Sequence, residues 1–310
     1  MPGHKEPVKV LVIALIPDDL RKALSAEFEV LDHILEAGGT PADRPISDDC
    51  EIVVTRAVYG YPAAAADLFP NARLLLSFGA GLEQIDLGDL QRRNIKLIHT
   101  PDELTEDVAD YAIGLAYAAR RRIAEGDRFV RAGRWTKGRF GLSLNLSRAR
   151  AGILGMGRIG QRIAEKANAL GMSISYTDRE QFADLPYSFE PSVADLAAAS
   201  DIFFVACAGT PETEKIVNAS VLDALGPDGI LINTSRGSIV DEDALIAALE
   251  TGRLGGAALD VFEQEPAIDP RFNQLENVVL SPHAASFTYD AREAMVARLV
   301  TGARDYAAAR

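Results

Sequence analysis

Cysteine is scarce in this sequence, with two residues, Cys50 and Cys207, in a chain of 310. Two cysteines in distant segments do not make the disulfide framework of a small secreted domain, and they fit a reducing compartment. The apolar run from Val10 to Ile16 is short and meets Pro17 and two aspartates, with no small-residue cleavage site after it. We therefore interpret this run as a first β-strand rather than a signal peptide, and we expect a cytoplasmic protein.

Long apolar runs and an excess of positive charge are also missing. No run reaches the length of about 20 residues that a membrane-spanning helix needs. Acidic residues outnumber basic ones, 45 to 32, which gives a net charge of −13. A surface of this sign argues against nucleic acid and anionic membranes as partners. It does not exclude a small anionic substrate, because a local pocket can carry the opposite charge.

What the chain does contain is a regular alternation of strand-like and helical patterns. In the first hundred residues the strand-like runs VKVLVIALI, EIVVTRA and ARLLLSFGAG alternate with helical runs such as AAAADLFP. The same alternation resumes at Ala151 and continues to about Ser286. Short β-rich runs that alternate with helices indicate βαβ units and a parallel sheet. We therefore predict an α/β protein with two parallel-sheet domains, Rossmann-like or flavodoxin-like, and an active-site cleft between them.

A long helical pattern separates the two arrays. It begins near Pro101 and Asp102, where a helix could start, and continues to Trp135. A last amphipathic helical pattern follows Ser286 and could return to the first array. Because 310 residues are more than one hydrophobic core usually serves, we predict two domains. The first domain comprises residues 1–101 and 287–310, and the second comprises residues 102–286.

A glycine-rich turn in the second array has the spacing of a dinucleotide-binding site. Gly155, Gly157 and Gly160 follow a strand-like run and precede a helical one. Asp178 ends the next strand, 18 positions after the third glycine, and the expected spacing is about 20. In such turns the first glycine makes the tight turn, the second lets a pyrophosphate approach the backbone, and the third lets helix and strand pack closely. This context favours a coenzyme site over incidental glycines. We therefore predict that residues 102–286 form a dinucleotide-binding domain and that residues 1–101 and 287–310 form a substrate domain.

The residues around Asp178 leave the choice of coenzyme open. Asp178 can accept hydrogen bonds from both ribose hydroxyls of NAD. Its carboxylate, with that of Glu180, should repel the 2′-phosphate of NADP. Arg179 lies between the two and could stack on adenine or pair with that phosphate. We expect NAD to be favoured, with NADP as the alternative.

Charged or titratable residues follow three strand-like runs of the second array: Arg236 in INTSRGSI, Glu265 in ALDVFEQEP and His283 in LSPHAAS. The carboxyl ends of strands in such sheets face the ligand crevice. Reduction of a keto acid needs a proton donor, which suits His283, and a carboxylate that orients the ring, which suits Glu265. The guanidinium of Arg236 has a fork that matches the substrate carboxylate. Each residue alone is more often structural, but their common edge beside the glycine turn favours catalysis.

These motifs together resemble the D-isomer-specific 2-hydroxyacid dehydrogenases. The matching segments GILGMGRIG, TPET, INTSRGSIVDEDAL, AALDVFEQEP and SPHAAS occur in this order. SFGAGLEQIDL and PDELTEDVADYAIGL further resemble the hydroxypyruvate, glyoxylate and hydroxyphenylpyruvate reductase branch. The resemblance implies NAD(P)H-dependent reduction of a small 2-keto acid to the D-2-hydroxy acid. It also implies that backbone N–H groups of Ala80 and Gly81 bind the substrate carboxylate, together with Arg236 and His283.

The resemblance further implies a homodimer built around residues 102–146, in which Trp135 either approaches the active site of the partner or lies buried in the dimer core. The alternative function is a dinucleotide-sensing binding protein of the corepressor type without significant turnover. The complete Arg, Glu and His set and the lack of a basic patch favour the enzyme. Asp260 is expected to orient the nicotinamide or brace the crevice, and Cys207 to pack near the coenzyme. The predicted coenzyme contacts are Gly155, Gly157, Arg158, Ile159, Gly160, Asp178, Arg179, Cys207, Pro211, Thr213, Thr234, Ser235, Arg236, Asp260, His283 and Ala285.

Overall fold

The computed structural model describes residues 8–35, 50–61 and 66–310, and the chain forms two compact units. The first unit comprises Met1–Leu104 with Thr288–Arg310, and the second comprises Thr105–Phe287. The assignment of substrate to the first unit and of the dinucleotide to the second, with boundaries at 101/102 and 286/287, stays a prediction. The helix predicted over residues 63–70 lies partly outside the described residues.

The first unit is built on a parallel sheet. Its described strands are β1 (Lys9–Val12), β2 (Glu29–Asp32), β3 (Cys50–Arg56), β4 (Leu74–Phe78) and β5 (Lys96–His99). The order β2-β1-β3-β4-β5, with every neighbouring pair parallel, is the flavodoxin-like order. β4 is buried along its whole length, as expected for a strand of a parallel sheet that is covered on both faces. Helices α1 (Asp18–Ser25), α2 (Leu87–Arg93) and α9 (Tyr289–Ala309) belong to this unit.

The second unit is built on a larger parallel sheet. Its strands are β6 (Arg150–Leu154), β7 (Ser173–Thr177), β8 (Ser188–Phe189), β9 (Ile202–Val205), β10 (Ile230–Asn233), β11 (Gly256–Leu259) and β12 (Val278–Leu280). The order β12-β11-β10-β9-β6-β7-β8 is the doubly wound Rossmann order with one further strand. The direction in which successive strands are added to the sheet reverses between β6 and β9. The predicted fold class, with two parallel-sheet α/β domains, is therefore confirmed.

Helices cover the second sheet on both faces: α3 (Thr105–Arg120), α5 (Arg158–Ala169), α6 (Val193–Ala198), α7 (Ala219–Leu225) and α8 (Glu242–Glu250). A further helix of this unit, α4 (Ile123–Arg131), has no buried residue. Phe203 and Phe204 are adjacent in β9 and belong to different core clusters, because successive strand residues point to opposite faces. Ala112 of α3 packs in the same cluster as Phe204. Within the described part of the chain, no helix is long and apolar enough to cross a bilayer.

The long helical pattern between the two arrays is two helices rather than one continuous helix. α3 ends at Arg120 and α4 begins at Ile123. Arg122 between them has a φ of +53°, in the left-handed region that an α-helix cannot contain. Its guanidinium binds the carboxylate of Glu125 at 2.6 Å and donates to the carbonyl of Leu142 at 3.1 Å. These bonds stabilise the interruption between the two helices.

Candidate active site

The glycine turn joins β6 to α5, and two of its glycines are required by close packing. Gly155 has a φ of +93°, and a Cβ atom there would lie 2.5 Å from the Cα of Cys207. A Cβ at Gly160 would overlap the carbonyl oxygen of Gly155. A side chain at either position would therefore force β6, α5 and the loop after β9 apart. This is the packing that the sequence pattern predicts for the first and third glycines.

The second glycine, Gly157, faces open space. No heavy atom lies within 4 Å of the position that its Cβ would take. Gly157 is also the N-cap of α5, so this space lies beside the first N–H groups of the helix. Open space next to oriented N–H donors, among them those of Arg158 and Ile159, fits the pyrophosphate of a dinucleotide.

Asp178 is held beside this turn by backbone hydrogen bonds. Its Oδ2 accepts from the N–H of Met156 at 2.7 Å, and its Oδ1 accepts from the N–H of Arg179 at 2.7 Å. Arg179 and Glu180 are exposed. The carboxylate therefore has a fixed position at the end of β7, where doubly wound folds recognise the ribose of a dinucleotide.

Cys207 lies at the end of β9 against Gly155. Burial raises the pKa of its thiol to about 12, so the thiol stays protonated at neutral pH and is a poor nucleophile. In the loop that follows, the hydroxyl of Thr213 donates to the carbonyl of Ala208 at 2.7 Å and accepts from the N–H of Thr210 at 2.8 Å. Pro211 lies inside this loop. The coenzyme contacts of Pro211 and Thr213 stay predictions, and the two hydrogen bonds of the Thr213 hydroxyl stabilise the loop.

Arg236 is presented by a tight turn after β10. The side-chain amide of Asn233 donates to the carbonyl of Arg236 at 2.9 Å and accepts from the N–H of Ser235 at 3.0 Å. Nη1 of Arg236 donates to the carbonyl of Ser235 at 2.7 Å, and the hydroxyl of Ser235 donates to the carbonyl of Cys207. Sequence reasoning missed Asn233, although an asparagine two residues before a turn is a known signal for this type of bond.

The turn that carries Arg236 lies directly on the loop after β11. A Cβ at Gly237 would overlap the carbonyl group of Phe262, so only glycine allows this approach. The N–H of Phe262 in turn donates to Oε1 of Glu265 at 3.0 Å. This contact brings the cation and the carboxylate of the predicted set to the same edge of the sheet. The positive charge of Arg236 is among the causes that lower the pKa of Glu265.

Glu265 and His283 form a direct pair. Oε2 of Glu265 lies 2.6 Å from Nδ1 of His283. Burial acts to raise the pKa of Glu265, but the bonds from His283 and from the Phe262 N–H, with the charges of His283 and Arg236, bring it below its ordinary value. Because a carboxylate oxygen can only accept, Nδ1 carries a proton, and Nε2 is the ring nitrogen left for exchange with a ligand. The His283 side chain is 39% exposed, so a small molecule can reach it.

The turn that carries His283 is held by Asp260, which is fully buried. His283 has a φ of +53°, a conformation that histidine adopts more readily than most residues. Oδ1 of Asp260 accepts from the N–H of Ala284 at 2.8 Å and from the hydroxyl of Ser281 at 2.5 Å, and Oδ2 accepts from the N–H of Ala285 at 2.9 Å. These bonds suit the bracing role expected of Asp260, and its contact with the nicotinamide stays a prediction.

The remaining predicted residues lie on loops of both units. Thr234 is buried after β10, and Ala285 is buried after β12. Ala80 and Gly81 follow β4 in the first unit, where Nδ1 of His99 lies 3.2 Å from the carbonyl of Ala80. Their role in binding the substrate carboxylate stays a prediction.

Known proteins share this architecture and sequence. Residues 113–285 match the model of the D-isomer specific 2-hydroxyacid dehydrogenase NAD-binding domain. The chain is 50% identical over 252 residues to a glyoxylate/hydroxypyruvate reductase A of Arabidopsis thaliana, covering 80% of each. It is 42% identical over 301 residues to a hydroxyphenylpyruvate reductase of Plectranthus scutellarioides, covering 96% of this chain and 95% of that one. Its fold matches an NADPH-dependent glyoxylate/hydroxypyruvate reductase of Sinorhizobium meliloti, solved with NADP and malonate, with a TM-score of 0.87 and 38% identity over 95% of this chain and 92% of that one.

Proposed function

This chain belongs to the D-isomer-specific 2-hydroxyacid dehydrogenases, and we propose that it reduces glyoxylate, hydroxypyruvate or a similar small 2-keto acid to the D-2-hydroxy acid. Its reaction class, NAD(P)-dependent reduction of a 2-keto acid, follows from the family. The observation that carries the proposal is the 2.6 Å contact between Glu265 and His283, on the same sheet edge as the glycine turn.

His283 provides the proton in this proposal. Nδ1 is bound to Glu265, so Nε2 faces the position of the carbonyl oxygen and gives its proton as the oxygen becomes an alkoxide. Glu265 keeps the ring in one orientation and places a negative charge beside it. Arg236 supplies a fixed positive charge for the substrate carboxylate, with the backbone N–H groups of Ala80 and Gly81 as further donors. A nicotinamide coenzyme, when bound, supplies the hydride.

For the coenzyme we propose a preference for NAD. The carboxylate of Asp178 is fixed by the N–H groups of Met156 and Arg179, so it cannot easily turn away from a 2′-phosphate. Glu180 adds a second negative charge beside it. The Sinorhizobium meliloti relative is NADPH-dependent, which makes this preference a feature to be tested on this chain.

A panel of three keto acids with both coenzymes tests the function and the preference together. Glyoxylate, hydroxypyruvate and 4-hydroxyphenylpyruvate are each offered with NADH and with NADPH, and the loss of nicotinamide absorbance is followed. We expect turnover with at least one of the first two, and kcat/KM about tenfold higher with NADH because like charges repel at the 2′-position. Coenzyme binding without turnover of any keto acid would support the corepressor type instead, and an equal rate with NADPH would contradict the role of Asp178.

We also propose that two copies of this chain associate through the segment from α4 to residue 144. α4 has no buried residue, although Ile123 and Val130 are apolar and are 55% and 53% exposed. Trp135 and Leu142 further along are 68% and 97% exposed. So much apolar surface on one segment is typical of an interface. A cytoplasmic location is proposed as well, and the presence of only two cysteines in 310 residues supports it.

Sedimentation tests the dimer. The unmodified chain should sediment with the mass of two copies, and the variant Val130→Asp/Leu142→Asp should sediment as one, because two carboxylates would be buried at the interface. Leu15→Asp is the matched control, since Leu15 is also 61% exposed but lies in the first unit. Trp135 is the single tryptophan, so its emission should shift to longer wavelength in the monomeric variant. Dimers of unchanged affinity in the double variant would rule out this surface.

A further inference from the structure

A chain of hydrogen bonds connects helix α3 to the turn that carries His283. The hydroxyl of Tyr111 lies 2.6 Å from Oγ of Ser281, and Ser281 donates to Asp260 at 2.5 Å. Serine has one hydroxyl hydrogen, which goes to the carboxylate, so Tyr111 is the donor in the first contact. Asp260 then accepts the N–H groups of Ala284 and Ala285, the two residues that directly follow His283.

The surroundings make this chain of bonds rigid. Asp260 is fully buried, and Ser281 is 7% exposed. Ala112, next to Tyr111 on α3, is buried in the core cluster that also contains Ala258 of β11, so the helix is anchored to the sheet. Hydrogen bonds shielded from water are stronger and polarise one another. A displacement of the Tyr111 hydroxyl would therefore also displace Ser281 and the carboxylate of Asp260.

The turn needs this support because its backbone is in a sparsely populated conformation. His283, at a φ of +53°, is left-handed, and such residues persist where the surroundings determine them. Without the Tyr111 hydroxyl, Oγ of Ser281 loses a donor and the hydroxyl of Ser281 is freer to rotate away from Asp260. The carboxylate would then hold Ala284 and Ala285 less firmly.

We propose that Tyr111 is a positioning residue for proton transfer. Through Ser281 and Asp260 it fixes the backbone after His283 and so keeps Nε2 of the ring at one place while Glu265 holds Nδ1. This proposal rests on the proposed role of His283 as proton donor. Tyr111 itself would contact neither the substrate nor the coenzyme.

Tyr111→Phe removes only the hydroxyl and tests the proposal. We expect kcat for the keto acid to fall about fivefold, the effect of one net hydrogen bond, with the KM for the keto acid and the coenzyme affinity unchanged. Tyr117→Phe, on the same helix but outside this chain of bonds, is the matched control and should keep full activity. A rise in KM without a fall in kcat, or equal kcat in the two variants, would overturn the proposal.

A double-mutant cycle shows whether Tyr111 acts through Ser281. Ser281→Ala alone should lower kcat, and adding Tyr111→Phe to it should lower kcat no further, because the connection is already cut. Two effects that multiply would mean that Tyr111 acts by another route, and the proposal would be wrong.

A measurement without turnover separates this proposal from the proposed function. The imidazole Cε1–H signal of His283, identified by its loss in His283→Asn, should shift in Tyr111→Phe and stay in place in Tyr117→Phe. If the unmodified chain reduces no keto acid, the proposed function fails, and this signal still decides whether Tyr111 positions the ring. An unshifted signal in Tyr111→Phe would overturn the proposal in either case.

Discussion

Replacing His283 with asparagine is expected to lower kcat for keto-acid reduction by at least about 100-fold, the usual contribution of a positioned general acid. The side-chain amide of asparagine reaches the place of Nδ1 and can still donate to Glu265, which lies 2.6 Å from Nδ1 in the unmodified chain. Nothing replaces Nε2, so the proton for the alkoxide must come from water. The variant therefore removes the proton donor and keeps the hydrogen bond to Glu265.

Asparagine also suits the backbone conformation at position 283. His283 has a φ of +53°, and asparagine tolerates the left-handed region as histidine does, whereas alanine is strained there. We expect the melting temperature and the coenzyme affinity of His283→Asn to match those of the unmodified chain. His283→Ala should lose activity and some thermal stability together. The comparison of the two variants separates the loss of the acid from a distorted turn.

The role of His283 would be refuted by kcat for His283→Asn within threefold of the unmodified value on the best keto acid. A different pattern, with kcat unchanged and KM raised, would place the ring in substrate binding rather than proton transfer. The measurement is steady-state kinetics with saturating coenzyme, over a range of keto-acid concentrations that covers both KM values.

The fold was predictable because its signals are local. Strands such as β9 (IFFV) and β10 (ILIN) are short, mostly apolar runs, and strand-like runs alternate with helical patterns along the second unit, which indicates parallel pairing. The glycine turn is recognisable from the spacing of its glycines alone. The structure shows why Gly155 and Gly160 are glycines, because a Cβ at either position would overlap backbone atoms. The break at Arg122 was not predictable, because it depends on bonds to Glu125 and to the distant carbonyl of Leu142.

Within the candidate site, the sequence could indicate which residues end strands but not what holds them. Arg236, Glu265 and His283 each follow a strand, and parallel strands bring their carboxyl ends to one edge. The bond between Tyr111 and Ser281 joins residues 170 positions apart, and no local pattern marks it. The sequence left two roles open for Asp260, orienting the nicotinamide or bracing the crevice. In the structure its carboxylate accepts hydrogen bonds from the turn that carries His283.

Glu265→Gln is expected to lower kcat/KM at neutral pH by about tenfold. Glutamine can still accept a hydrogen bond from Nδ1 of His283, but it carries no negative charge beside the ring that gives the proton. The fall should therefore come from the lost charge and not from a lost hydrogen bond. The measurement is kcat/KM between pH 5 and pH 9 for both enzymes with the same keto acid.

The lowered pKa of Glu265 predicts what the same experiment should show at its acid end. The folded-state pKa lies below the ordinary value of 4.5, so the carboxylate is ionised above that value and is protonated only as the pH falls through the lower, folded-state value. The carboxylate of the unmodified chain should therefore stay ionised throughout the measured range, and any loss of rate near pH 5 must come from another group. Glu265→Gln should show the same loss near pH 5, so the roughly tenfold difference between the two enzymes should persist to the acid end of the range.

Glu263→Gln is the control that makes this result specific. Glu263 is in the same loop and forms an ion pair with Lys215 at 2.9 Å, and its carboxylate does not contact His283. The pair is exposed, so its loss should change kcat/KM by less than about twofold. If both glutamine variants lower kcat/KM equally, the effect is the net charge of the loop, and Glu265 has no specific effect on the ring. If only Glu265→Gln lowers kcat/KM, the fall comes from the charge on the carboxylate that binds Nδ1, because glutamine retains the hydrogen-bond acceptor and loses only that charge.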